Sequence, residues 1–138
     1  MRRAQRGAAL LEFALAWPVV LLLVLGAVEL TVWGSEAFAA RSAALAGARA
    51  GTVAGATASV AAAVAVRSLS PSLVGVLAST WCPGQSPAAP PVWVCATDLG
   101  TAMRVDVGGF VPAIVPVVAG GGLPLNARVV LQKEVFRT

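Results

Sequence analysis

Apolar positions are spread unevenly along the chain, and that unevenness predicts its elements. Residues 8–28 form a stretch of 21 with one charge, Glu12, and residues 13–28 carry none. At 1.5 Å per residue, a helix of this length crosses a hydrocarbon core of about 30 Å. Pro18 falls inside the stretch, where it removes one backbone hydrogen bond and is expected to bend the helix rather than break it. Alanine then dominates residues 37–65, with no proline, so the helix is expected to continue through them. Within that part Ala43, Gly47, Gly51 and Gly55 recur every four residues, putting small side chains on one face that another backbone can approach closely. Another helix or this chain's own sheet would each fit there. Ser70-Pro71-Ser72 ends the pattern, because the residue before proline disfavours the helical region.

Beyond this boundary the period changes. Residues 81–91, Trp-Cys-Pro-Gly-Gln-Ser-Pro-Ala-Ala-Pro-Pro, have loop chemistry, and residues 92–96 read as a strand that carries Cys95. Met103, Val105 and Val107 alternate with Arg104 and Asp106, the period of a half-buried strand. Residues 110–118 contain Pro112 and Pro116 and read as an edge strand or extended segment. Residues 120–122 are three glycines, a hairpin turn or flexible loop. The last strand is expected over residues 126–136, with Ala127, Val129 and Leu131 on one face. The fold class that emerges is α+β: a long N-terminal transmembrane helix with an alanine-rich extension, packed on a small antiparallel sheet of three or four strands.

Composition sharpens this picture. Of 138 residues, 58% are apolar and 12% charged, against roughly 45–50% and about 25% in soluble domains, so a membrane or assembly setting is expected. Four Phe, four Trp and no Tyr leave any water-soluble core small and marginal alone. The formal charge of +4 does not point to nucleic acid: Arg2, Arg3 and Arg6 precede the apolar run, and the other basic residues are scattered singly. With three arginines on one side of the span and Glu29 and Glu36 first on the other, the positive-inside rule puts the N-terminus in the cytoplasm and exports the rest. In an oxidising compartment Cys82 and Cys95 are expected to form a disulfide, adding about 3 kcal/mol by closing the loop; two free buried thiols are the alternative.

Catalytic chemistry finds little to work with. Histidine is absent and the two cysteines are not spaced as a metal pair, so no metal, cofactor or small-molecule substrate is expected. Asp98 and Asp106 could be paired as acid and base, but nothing in the sequence raises either pKa. The glycine triplet lacks the strand-to-helix setting and the lysine of a phosphate loop.

The N-terminal segment also admits a secretory signal, with Ala37-Phe38-Ala39 as a small-residue cleavage site, or a twin-arginine signal from Arg2-Arg3. The apolar run exceeds the usual 7–15 residues of a signal core, no apolar follow-up succeeds the arginine pair, and Glu12 sits near the start of the run. A carboxylate there marks a functional site by default. Arg6-Gly7-Ala8-Ala9-Leu10-Leu11-Glu12-Phe13, followed by Ala14-Leu15-Ala16-Trp17-Pro18 and the apolar helix, strongly resembles TadE-like proteins, pilin-like components of tight-adherence pili in the type IV pilus superfamily. The match is a basic leader ending in glycine, four apolar residues, a glutamate and an aromatic. Ala39 to Gly51, with its Gly47-Ala48-Arg49 step, is similar to the family's alanine-rich continuation, and Leu123-Pro124-Leu125-Asn126-Ala127-Arg128 with Lys133-Glu134 is weakly similar to its last strand.

That resemblance implies cleavage by a prepilin peptidase between Gly7 and Ala8, which makes Glu12 the fifth residue of the mature chain. Losing the three leader arginines lowers the formal +4 to +1 before the new terminus is counted. A buried carboxylate needs a cation to offset its desolvation, and the resemblance implies the Ala8 ammonium of a neighbouring subunit; a solvated place at the headgroup edge is the alternative. Glu12 and Phe13 are thus the candidate assembly residues, and Ala43, Gly47, Gly51 and Gly55 a candidate packing face for other pilin-like subunits. The expected organisation is a leader (1–7), a transmembrane helix (8–30), an exported helical extension (31–69) and a small disulfide-containing β domain (70–138). The expected role is a minor pilin or pseudopilin working with the pilus assembly platform from the cytoplasmic membrane. An uncleaved anchor with a partner-binding domain, or a protein released near Ala39, are the competing readings.

Overall fold

The structure is a computed structural model that describes residues 2–86, 88–114 and 121–133, residues 2–9 as backbone only. One helix, α1, runs from Arg2 to Thr52 with Pro18 inside it, about 77 Å at 1.5 Å per residue. Its outer half buries a single stripe, Glu29, Glu36, Ala40, Ala43, Ala44, Gly47, Ala48 and Gly51. These positions recur at threes, fours and sevens, the period of one helical face.

The helix does not run unbroken to residue 65 as expected. α1 stops at Thr52, and Gly55 takes a left-handed φ of +79° in the turn that follows. Thr57 then caps a second helix, α2 (Ala58–Leu69), its side chain accepting from the Val60 N–H. Alanine propensity alone does not decide the matter: folding α2 back on α1 buries Ala61, Ala62 and Ala65, burial that one extended rod would forgo. A Cβ on Gly47 would lie 2.6 Å from the Ala61 carbonyl oxygen, and one on Gly51 would lie 2.6 Å from Met103 Cγ. The small-residue face at Ala43, Gly47 and Gly51 is therefore occupied by this chain's own α2 and sheet, and Gly55 is not part of it.

A 3₁₀ turn at Ser70–Ser72 follows α2, where the helical pattern was expected to end. The sheet has four strands in the order β1 (Ala78–Thr80), β2 (Val92–Asp98), β3 (Ala102–Pro112) and β4 (Gly122–Gln132). It is mixed rather than purely antiparallel: β1 pairs with β2 in parallel, Ala78 opposite Val92, while β2–β3 and β3–β4 are antiparallel. β1 has only three residues, too few to display a period.

Residues 110–112, expected at an edge, are instead the end of the inner strand β3. β2 pairing with β3 begins at Val92 opposite Gly109, so Pro112 lies beyond β2 and faces only β4 across the ladder, where a missing donor is tolerated. Residues 115–120 lie outside the described residues, and with them Pro116 and Gly120. β4 begins four residues before the expected Asn126; Ala127 is buried and Val129 and Leu131 half-buried on the expected face, while residues 134–136 lie outside the description. Met103, Val105, Val107 and Val111 from β3 meet Val92 and Val94 of β2, Leu69 of α2 and the α1 alanines in one core. The head is thus a two-layer α+β unit built onto the end of its own membrane-length helix.

Candidate functional site

Every side chain of α1 from residue 10 to residue 28 is exposed or half-exposed, and the cover of the head begins at Glu29. The bare segment is about 28 Å long, and the most apolar window of the helix has a mean hydropathy of 2.3. Glu12 and Phe13 both lie on this uncovered helix. Phe13 stacks on Trp17 one turn away, ring centroids 5.8 Å apart, the helical i, i+4 pairing. Gly7 and Ala8 lie on the helical backbone that precedes them.

Where the bare helix enters the head, two carboxylates do work that local pattern did not reveal. Glu29, 6% exposed, accepts from the Ile114 N–H through both oxygens, at 3.0 and 2.9 Å. One heptad on, Glu36, 2% exposed, accepts from the Val74 N–H at 2.9 Å. Between them the Trp33 indole N–H donates to the Pro124 carbonyl at 3.1 Å. A buried carboxylate needs such donors, and these three side chains bind the head to the helix at successive turns. Seven-residue spacing from Glu29 to Glu36 to Ala43 was the available signal, in phase with the alanine stripe.

Cys82 and Cys95 are joined, with an S–S distance of 1.96 Å and Cα atoms 4.8 Å apart. The bond ties the segment after β1 to β2 beside the Trp81 N–H to Val94 carbonyl contact of 3.0 Å. Trp81 and Trp93 meet edge to face nearby, centroids 5.7 Å apart. Trp93 also lies over Gly108, whose missing side chain leaves room for its ring. A shallow groove of about 550 Å³ on this outer face is lined by Trp93, Phe110, Pro91 and Pro124, with Asp106 and Arg128 at its side.

The two aspartates are separated, each with its own cation. Asp106 pairs with Arg128 and Arg104. Asp98 accepts from Lys133 Nζ at 2.6 Å and from the Gly100 N–H at 2.8 Å; the Lys133 hydrogen bond first, and the Gly100 N–H second, hold its carboxyl below the usual carboxylate value. Neither is set up as half of an acid–base couple.

A bare apolar helix of bilayer length rooted in a small α+β head fits a single-pass membrane protein with one extramembrane unit. Residues 7–49, under half of the chain, match the family model described as TadE-like protein, the family that the leader and helix resemble. The matched stretch holds Gly7, Glu12, Phe13, Glu29 and Glu36 and ends just short of the α1 terminus. The family is a pilus-related structural family rather than an enzyme family. No curated protein and no solved structure matches the chain.

Proposed function

We propose that this protein is a minor pilin or pseudopilin, not an enzyme, and that it takes part in assembling a tight-adherence type IV pilus. The observation that carries the reading is the family match across Gly7, Glu12 and Phe13 on a helix that the head leaves bare over bilayer length. The chain sits in the cytoplasmic membrane with its N-terminus inside, as the leader arginines direct. A prepilin peptidase removes residues 1–7, and the mature helix is held in the bilayer until it is drawn into a bundle of pilin-like subunits. Glu12 then meets the Ala8 ammonium of a neighbour, each charge offsetting the other's loss of water.

Intact-mass measurement on protein purified from its native membrane tests the first step. A mature chain starting at Ala8 is expected; one starting at Met1 would make the protein an uncleaved anchor, and one starting at Ala40 a secreted product. For the second step, Glu12→Gln should still be cleaved yet fail to support filaments. Normal piliation by that variant would remove the charge-pairing role.

A further inference from the structure

The bare helix carries a polar mismatch that a single copy does not resolve in a bilayer. Pro18 has no N–H, so the Ala14 carbonyl, four residues earlier, loses its helical donor. One residue from the proline stands Trp17, half-exposed as a residue, whose indole N–H meets no acceptor among the described residues. Both groups fall in the N-terminal third of the bare segment, about 6 Å past Leu10 but inside the apolar run, where every unmet polar group is costly.

Donor and acceptor also share a side of the rod. At 100° per residue, Leu10, Ala14, Trp17, Pro18 and Leu21 fall within an arc of about 100°. Helical side chains lean toward the N-terminus, and the stacking of Trp17 on Phe13 puts its ring at the depth of Ala14. Ala14 has the small side chain that lets a second helix come close. Glu12 and Ala16 lie on the opposite side.

We infer that two copies of this chain pair side by side in the membrane, each Trp17 indole N–H donating to the Ala14 carbonyl of the other. Copies inserted by the same leader are parallel and at equal depth. A two-fold axis along the rod therefore satisfies both donors and both acceptors at once, an isologous contact. A foreign helix would have to bring its own matched pair to the same depth, which is why a second copy is the occupant chosen. The inference rests on the membrane-spanning reading and not on leader cleavage or pilus assembly.

The test uses the full chain in phosphatidylcholine–phosphatidylglycerol vesicles. Ala14→Cys should cross-link on oxidation several-fold faster than Ala16→Cys; equal or faster cross-linking at position 16 would overturn the inference. Dimerisation followed by energy transfer between labelled copies should weaken about tenfold in Trp17→Phe and likewise in Pro18→Ala, which returns a helical N–H to Ala14. The double variant should lose no more than either single one, since both remove the same bond; additive losses would reduce Trp17 to a packing residue and sink the pairing. Glu12→Gln should dimerise like the parent, which separates this contact from Glu12 chemistry. Far-UV circular dichroism with the Cys82–Cys95 bond intact checks that each head is folded.

Discussion

Glu29 and Glu36 bring formal charge to positions that water scarcely reaches, and each is held there by a backbone N–H from the head. Glu36→Ala should therefore leave the Val74 N–H without its acceptor and cost about 1–3 kcal/mol, read as a lower denaturation midpoint of the detergent-solubilised protein. Glu36→Gln, whose amide oxygen still accepts, should lose clearly less. At the surface, Asp98 behaves differently. Its carboxyl is held below the ordinary value of 3.8 by Lys133 and Gly100, so its contribution is present above that value and fades as pH falls toward the lowered one. Asp98→Asn should flatten the stability profile below about pH 4 and change little at neutrality, because exposed pairs contribute little; thermal melts across that range check both. The residue-level signal in the sequence was incomplete for a physical reason. Glu29 and Glu36 read locally as the first solvated charges past the membrane, whereas their partners lie 85 and 38 residues downstream, beyond what a helical period reports.

At the scale of elements, one glycine just before the helix break and one inside it serve different ends. Gly51 sits where a Cβ would meet Met103 Cγ at 2.6 Å and Ala61 Cβ at 2.9 Å, so Gly51→Val should overpack the junction of α1, α2 and the sheet at a cost of about 1–3 kcal/mol. Gly55 has open space but a φ of +79°, so Gly55→Ala should cost about 1–2 kcal/mol through its backbone alone. Chemical unfolding of the two variants measures the difference. Reducing the Cys82–Cys95 bond should lower stability by about 3 kcal/mol, measured as a shift of the unfolding curve with and without reductant. Which elements were legible follows from their physics. The alternation of Met103, Val105 and Val107 announced β3, and Ser70-Pro71 announced the end of the helical region. The break at residues 53–57 was hidden because alanine favours helix whether one rod or two is made, and β1 was hidden because its pairing is set by tertiary contact.

For the whole molecule, the division between bilayer and head falls at one residue. Among the described residues, the buried stripe of α1 begins at Glu29, so a chain beginning at residue 29 retains that stripe and loses only exposed helix. Such a truncation should be soluble without detergent and unfold with a midpoint close to that of the full chain, as gel filtration and circular dichroism would show. A truncation beginning at residue 37 should instead be destabilised, having lost both carboxylates and Trp33.

Glu29, Trp33 and Glu36 grip the head at successive turns of one rod, contacts that oppose its rotation about the helix. The bearing of the disulfide edge relative to the membrane half is set when the chain folds, before any neighbour is met. In the filament proposed above, copies stacked with a constant rotation would then show that edge at regular angular steps, a spiral ornament whose pitch the embedded ends dictate.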